Sequence, residues 1–261
     1  MELGIRGRTA LVLGGGGGLG GAIAHVLATE GVRIAVADID AAAVKRSVDH
    51  IESKGGEALG LVWDLSDLTV VDKNVSAIEG RFGPVDVLVN ITGGPPPTPA
   101  AGQEPNLWSK HFSAMVLSVI AITDRVLPNM KARAWGRIIT STSSGVVAPI
   151  PNLGLSNSLR LALVGWSKTL AREVARDGIT ANIILPGRIA TDRIRFLDEA
   201  KAKREGRSIE AVMAESTGSI PIGRYGNPEE YADAVAFLAS NRASYLTGSV
   251  MRVDGGLLAN I

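Results

Sequence analysis

Two short stretches hold the residue types that could do chemistry in this sequence. The first, LGGGGGLGG (13–21), is rich in glycine, which lets a backbone turn tightly and approach a phosphate closely. The second, SNSLR (156–160), places Ser156 and Arg160 four residues apart, and therefore on one face of a helix. Serine and arginine are poor proton carriers near neutral pH. The second stretch therefore predicts either a binding site or a catalytic site of unusual composition.

Composition and charge exclude several classes of function. The 261 residues are 46% hydrophobic and 20% charged, as in ordinary globular proteins, and the net charge of +1 gives no reason to expect nucleic acid or a membrane as partner. There is no cysteine, and histidines and acids show no metal-ligand spacing, so we predict no metal. We expect no signal peptide, and the longest apolar run, AMVLSVIAI (114–122), is too short to span a membrane. These features predict a cytoplasmic protein.

The chain alternates short apolar runs with helical patterns. The predicted strands are TALVL (9–13), RIAVAD (33–38), ALGLVW (58–63), VDVLVN (85–90), RIIT (137–140), ITANIIL (179–185) and SVMRVD (249–254). Apolarity on both faces of such short strands predicts an α/β fold, a doubly wound parallel sheet with helices on both faces, in a single domain. The loop GGPPPTPAAGQEP (93–105) follows a strand, where loops line the ligand crevice. The charged insert 188–225 is predicted to be a lid over a small-molecule substrate.

The glycine stretch has the surroundings of a dinucleotide site. A strand precedes it, a helix follows it, and Asp38 ends the second strand at the expected spacing. Asp38 is placed to accept hydrogen bonds from the ribose hydroxyls, and its charge would repel a 2′-phosphate. No lysine or arginine in the glycine loop or after Asp38 would neutralise that phosphate. The sequence therefore predicts NAD as cofactor in preference to NADP.

Segments along the whole chain resemble the classical short-chain dehydrogenases/reductases. Gly14, Gly18 and Gly20 have the family's glycine spacing, and NITGG (90–94) stands where the family has an Asn-Asn-Ala-Gly turn. Other similar segments are GRIITSTSS (136–144), KTLARE (168–173), ITANIILPG (179–187) and the stretch from PIGRYG to VDGG (221–256). The β-ketoacyl carrier-protein reductase branch is the most similar. The resemblance implies a seven-stranded Rossmann sheet and a homotetramer.

The resemblance also implies which residues touch the cofactor. Asp64, in WDLSD, matches the acid that contacts adenine. The other implied contacts are Gly14, Gly18, Leu19, Gly20, Asp38, Leu65, Asn90, Gly93, Arg160, Pro186, Gly187, Ile189 and Thr191.

Three of the four catalytic positions of the family are changed here. Ser143 matches the family serine, whereas Ser156 stands at the tyrosine position and Arg160 at the lysine position. Met115 stands at the asparagine position. Ser143, Ser156 and Arg160 are accordingly the candidate catalytic residues, and Ser156 is too weak an acid to replace a phenol.

The replacements leave several interpretations open. Arg160 either anchors the nicotinamide ribose as lysine would, or binds an anionic group of the substrate. His111, one turn before Met115, is an alternative acid or base. Asp192 is another, although beside Arg193 and Arg195 we expect it to be ion-paired.

Three functions fit these observations. The first is an NAD-dependent oxidoreductase acting on a carbonyl or hydroxyl group with non-standard acid–base chemistry. The second is a non-catalytic dinucleotide-binding sensor or partner subunit. The third is an elimination or epimerisation that uses bound NAD.

Overall fold

The computed structural model describes residues 2–261, which form one parallel seven-stranded sheet. The strands are β1 (Thr9–Leu13), β2 (Arg33–Asp38), β3 (Ala58–Val62), β4 (Val87–Asn90), β5 (Gly136–Ser141), β6 (Ile179–Pro186) and β7 (Val250–Val253). Their order across the sheet is β3-β2-β1-β4-β5-β6-β7. All seven predicted strands and the predicted doubly wound fold are confirmed, and the strand boundaries differ by at most two residues.

Helices cover both faces of the sheet. They are α1 (Gly18–Thr29), α2 (Ala41–Ser53), α3 (Val71–Phe82), α4 (Pro105–Phe112), α5 (Ser118–Ala132), α6 (Gly154–Val174), α7 (Asp192–Glu205), α8 (Ile209–Gly218) and α9 (Pro228–Ala239). One core cluster packs side chains of α1, α2 and α9 against the sheet, and a second packs those of α3, α5 and α6. Because β1 and β4 are buried on both faces, their nearly unbroken apolarity is explained.

Helices α4 and α5 form one continuous helix, Pro105–Ala132, joined by a π-helical turn at Ser113–Leu117. At 28 residues it is long and apolar enough to cross a membrane, so the sequence-based conclusion that no segment is long enough was wrong. The helix extends beyond the apolar run because polar residues on its outer face continue the same helical pattern. Val119, Ile122, Val126 and Met130 are fully buried. The last three pack in the second core cluster and Val119 packs in a third, as in the core helix of a globular domain.

The sheet order creates a crevice at the carboxyl ends of β1 and β4. From β1 the chain builds outward through β2 and β3, then returns to place β4 on the other side of β1. Ligands of open α/β sheets bind at such a switch point because the loops on either side diverge there. The glycine loop, the loop after β4, the loop after β5 and the segment after β6 all emerge at this edge.

Candidate active site

The glycine loop and α1 approach each other so closely at Gly20 that only glycine fits there. A Cβ atom on Gly20 would lie 2.0 Å from the carbonyl oxygen of Gly14. Gly14 itself has φ of +66°, a conformation that favours glycine. Helix α1 begins after Gly17 with no side-chain cap, so its first N–H groups are free to bind an anion. The loop therefore has the geometry of a phosphate cradle.

A cavity of about 420 Å³ continues from this loop along the ends of β2, β3 and β4. Among its lining residues are Gly14, Asp38, Asp64, Leu65, Gly93, His111 and Met115. One carboxylate oxygen of Asp38 accepts a hydrogen bond from the Gly16 N–H at 3.2 Å, and the other accepts one from the Asp40 N–H at 3.1 Å. Hydrogen bonds from the backbone and hydroxyl of Ser66 lower the pKa of Asp64. Both acids are therefore oriented carboxylates, at the end of the crevice formed by β2 and β3.

These features fit a nicotinamide dinucleotide. The uncapped helix and the glycine cradle suit its pyrophosphate, and Asp38 suits its ribose diol. Thr191, the N-cap of α7, lies about 4 Å from where a Cβ of Gly18 would be, so the segment after β6 reaches the glycine loop. Gly187 packs directly on Asp254, and Pro186 is half-buried at the end of β6. Leu19 lies in the first turn of α1 and is partly buried against the core.

The side chains of two residues predicted to contact the cofactor are buried. Asn90 has no exposed surface, and its Nδ2 donates to Thr140 Oγ1 at 3.1 Å between β4 and β5. Ile189 is 3% exposed and packs against Gly226. A cofactor contact from Asn90 or Ile189 would therefore have to come from the backbone, and both predicted contacts stay predictions. Strand position alone did not reveal that these side chains turn into the protein.

The candidate catalytic serines lie on opposite sides of one tight contact. Ser143 follows β5, and its Oγ accepts a hydrogen bond from the Gly145 N–H at 3.1 Å. Ser156, in the first turn of α6, is 6% exposed. Between them, Asn157 bonds both the N–H and the carbonyl of Ile150 and leaves no room for a Cβ on Gly145. Asn157 therefore holds the loop after β5 against α6.

The guanidinium of Arg160 is held by backbone carbonyls. Its Nη2 donates to the carbonyls of Thr92 and Gly93 at 3.3 and 3.2 Å, and its Nη1 lies 3.5 Å from the carbonyl of Ser141. The side chain thereby links the loop after β4 to the end of β5. Burial, with a smaller contribution from the charge of Arg193, lowers the pKa of Arg160 to about 10. It stays protonated near neutral pH and is no proton donor there.

Arg193 contacts the same loop after β4 as Arg160 does. From the sequence it was considered only as a neighbour of Asp192. Its Nη2 donates to the carbonyl of Pro95 at 2.9 Å, and burial lowers its pKa. Among residues 2–261 no ion pair includes Arg160 or Arg193. The loop after β4 is therefore contacted by two cations without an acidic partner, which carbonyl dipoles and, for Arg193, the Phe196 ring at 5.5 Å compensate. The sequence offered no signal for this, because the two arginines are 33 positions apart.

The lid segment pairs its charges differently from the sequence-based expectation. Asp192 takes part in no ion pair of the described chain, whereas Arg195 pairs with Glu199. Asp198, which is 1% exposed, accepts from Arg188 Nη1 and from the Tyr225 hydroxyl, both at 2.7 Å. The expected pairing of Asp192 was wrong because its side chain is exposed, while Arg193 turns to the Pro95 carbonyl and Arg195 turns to Glu199.

The proline-rich loop after β4 lies against the start of α6. Thr98 N–H donates to the carbonyl of Asn152 at 2.7 Å, and Gly154 N–H donates to the carbonyl of Thr98 at 2.9 Å. A Cβ on Gly154 would meet Ala100 at 2.5 Å. This loop is therefore fixed against the start of α6. His111 lines the cofactor cavity, and burial lowers its pKa, so it is neutral near pH 7.

Comparison with known proteins matches this geometry. A family model described as enoyl-(acyl carrier protein) reductase matches residues 15–258. The chain belongs to the short-chain dehydrogenase/reductase family. It is 35% identical to the 3-oxoacyl-(acyl-carrier-protein) reductase FabG of Salmonella typhimurium, over 96% of this chain and 97% of that protein. This similarity places it in the ketoacyl-reductase-like branch.

Solved structures of other short-chain dehydrogenases/reductases superpose on the whole chain. L-sorbose reductase from Gluconobacter frateurii, complexed with NADPH and L-sorbose, has a TM-score of 0.94 at 31% identity and covers 100% of both chains. The NADPH-dependent reductase YwfH has a TM-score of 0.93 at 30% identity, covering 97% of this chain and 99% of that one. The chain is thus an oxidoreductase of the NAD(P)-dependent short-chain dehydrogenase/reductase type. The roles of its candidate catalytic residues stay predictions.

Proposed function

We propose that this short-chain dehydrogenase/reductase uses NAD in preference to NADP and acts on a carbonyl or hydroxyl group of a small anionic molecule. When bound, the dinucleotide supplies or accepts a hydride. The protein's own groups would hold it through the glycine loop and Asp38, orient the substrate oxygen through Ser143, and hold the anionic group through Arg193 and Arg160.

The cofactor preference rests on the charges of the adenosine cavity. Its lining includes two carboxylates, Asp38 and Asp64, and neither lysine nor arginine. A 2′-phosphate placed there would meet negative charge without a cation to neutralise it. YwfH is described as NADPH-dependent, and the sorbose reductase was solved with NADPH. The cofactor preference proposed for this chain differs from theirs, and the charge of Asp38 is the reason for it.

Calorimetry with NADH and NADPH tests this preference. We expect NADH to bind at least about tenfold more tightly, since charge-assisted hydrogen bonds to the ribose contribute on the order of 1.5–3 kcal/mol. Asp38→Ala should shrink the difference, and Asp67→Ala, an exposed acid outside the cavity, should leave it unchanged. Equal affinities in the unaltered protein would refute the assignment.

The anionic substrate rests on the two uncompensated cations. A buried guanidinium without a carboxylate partner is costly, and an anion beside it would offset that cost. Arg160 and Arg193 are both in this situation, and the loop carbonyls that hold them leave the positive charge unneutralised. A ketone or alcohol bearing a carboxylate has the required charge.

Arg193 and Arg195, two positions apart in α7, provide a matched test. Turnover should be measured with NADH or NAD on a panel of keto acids, hydroxy acids and uncharged ketones. Arg193→Gln should raise KM for acidic substrates about tenfold or more with little change for uncharged ones. Arg195→Gln, an exposed residue paired with Glu199, should change neither. A preference for uncharged substrates in the unaltered protein would contradict the proposal.

A second candidate, a non-catalytic dinucleotide-binding protein, is favoured by the burial of Ser156 and the carbonyl contacts of Arg160. Neither group gives up or takes up a proton readily near neutral pH. In the catalytic case the proton must come through water, the substrate or His111. NADH binding without turnover on any acid of the panel, or on β-ketoacyl thioesters, would select the second candidate.

We also propose a homotetramer in the cytosol. Phe112, Leu117 and Leu161 are exposed apolar residues on the neighbouring α4–α6 surface, which suits burial against another copy. Light scattering at micromolar concentration should give four times the chain mass, and a monomer would contradict the proposal.

A further inference from the structure

The edge of the sheet opposite the cofactor crevice carries a cavity of about 470 Å³. It lies at the amino-terminal ends of β1, β2 and β4, and we call it the arginine pocket. Its lining residues are Gly4, Arg6, Gly7, Arg8, Arg33, Phe82, Pro84, Asp86 and Arg133. None of them lines the cofactor cavity. Arg33 and Asp38 stand at opposite ends of β2, roughly 17 Å apart at about 3.3 Å per residue.

The positive charges of the arginine pocket exceed its negative charge. Asp86 is its single acidic lining residue, and this carboxylate is already saturated. Its Oδ1 accepts from Arg8 Nη1 at 3.2 Å and from Arg133 Nη2 at 3.0 Å, while its Oδ2 accepts from the Thr9 N–H at 3.0 Å. In the described chain neither Arg6 nor Arg33 belongs to an ion pair. With four arginines and one aspartate, the wall therefore has an excess of three positive charges, and two of its arginines lack an acidic partner.

One of these arginines also has an unsatisfied donor. Arg33 Nη2 donates to the carbonyl of Gly7 at 2.6 Å, whereas Arg33 Nε is shielded from solvent and has no hydrogen-bond partner. A shielded donor without an acceptor is unfavourable and rare in folded proteins. An anion in the pocket, with a small rotation of the side chain, would supply the missing acceptor.

A further arginine, Arg137, lies behind the wall of the arginine pocket, and it shares the Trp135 ring with Arg8. The Arg8 guanidinium lies 4.0 Å from the centre of the Trp135 ring, and that of Arg137 lies 4.3 Å from it. Arg137 is 2% exposed and bonds only backbone carbonyls, those of Ser240, Gly136 and Gly178. Burial and then the charge of Arg8 lower the pKa of Arg137 to about 10, so it remains protonated at neutral pH. It adds to the positive potential of this edge.

We propose that the arginine pocket binds a phosphate-type polyanion of the size of pyrophosphate. Guanidinium groups present planar forks of donors that match phosphate oxygens. Three uncompensated charges in a cavity this large suit several negative charges on one small molecule better than a single one. Phe82 and Pro84 form an apolar wall against which an organic group attached to the phosphates would pack.

Calorimetric titration with pyrophosphate tests the site. The protein is first saturated with NADH, so that the glycine loop cannot take up the probe. We expect one pyrophosphate per chain, bound at least about tenfold more tightly than orthophosphate or citrate. Arg33→Gln and Arg6→Gln should each weaken it about tenfold, the effect of losing one charge-assisted hydrogen bond. Arg176→Gln, an exposed arginine elsewhere, should have no effect, and NADH affinity should be the same in all variants.

Three results would overturn the proposal. They are no binding of pyrophosphate, equal binding by Arg6→Gln and the unaltered protein, and citrate or orthophosphate binding as tightly as pyrophosphate. If Arg33→Gln does not fold, Arg6→Gln decides alone, since Arg6 is exposed and has no ion-pair partner.

Discussion

Two adjacent glycines at the start of α1 should respond oppositely to the same substitution. A Cβ on Gly20 would lie 2.0 Å from the Gly14 carbonyl oxygen and 2.6 Å from its carbonyl carbon. A Cβ on Gly21 would meet its nearest atom at 3.7 Å, an ordinary contact. Gly20→Ala must therefore push α1 away from the glycine loop, whereas Gly21→Ala requires no movement.

The difference in stability between the two variants follows from this contact. Both alanines gain about 1 kcal/mol of helix propensity, which cancels in the comparison. For Gly20→Ala the helix has to move by more than about 1 Å to restore normal contact, and such overpacking costs about 1–3 kcal/mol. We expect Gly20→Ala to be less stable than Gly21→Ala by that amount, or several degrees in Tm for a chain of this size.

Cofactor binding should separate the variants further. The N–H groups at the start of α1 would lose their aim at the pyrophosphate, so NADH affinity should fall about tenfold or more in Gly20→Ala. Gly21→Ala should bind NADH as the unaltered protein does. Thermal unfolding and NADH fluorescence titration measure both effects at one protein concentration. Equal Tm values and equal affinities for the two variants would refute the close-approach argument.

Two further predictions concern buried charge and pH. Asp198→Asn should destabilise the protein by about 2–4 kcal/mol in urea unfolding, because Arg188 loses its buried partner. The control is Glu199→Gln, at an exposed residue, which should cost less than about 1 kcal/mol. Similar costs for the two variants would contradict the prediction. Burial, and then His50 with ring centres 4.1 Å apart, lower the pKa of His25 below its usual value of about 6.5. Below that pH the unfolded chain binds more protons than the folded one, so the stability of the fold should decline on acidification. His25→Gln should make this decline less steep in thermal melts measured between pH 7 and 5. An unchanged pH dependence of stability in the variant would exclude His25 as its cause.

The strands and the cofactor edge could be predicted from local patterns. A strand buried on both faces must be apolar along its length, so β1 and β4 could be predicted as strands without knowing which strands they pair with. The glycine loop was readable as well, because its turn, the following helix and Asp38 depend on residues that are near in sequence. These features are encoded within about 30 positions, as the βαβ unit requires.

The direction of individual side chains depended on packing. Asn90 ends β4 and Ile189 follows β6, yet the side chains of both are buried in the protein. Sequence spacing placed Arg160 on the crevice side of α6 but could not show that carbonyls of Thr92 and Gly93 would hold its guanidinium. Those carbonyls belong to a loop almost 70 positions earlier, and only the pairing of β4 with β5 brings it there.

The sequence by itself determined the order of elements, the sheet and the phosphate cradle, because each depends on local conformational preference and on the apolar pattern. The tertiary structure alone decided the charge environment. The two cations of the crevice and the arginine pocket assemble residues from distant positions, and electrostatic energy depends on distance and burial in space. Whether an arginine is paired with an acid, a carbonyl or nothing is therefore settled only when the chain is folded.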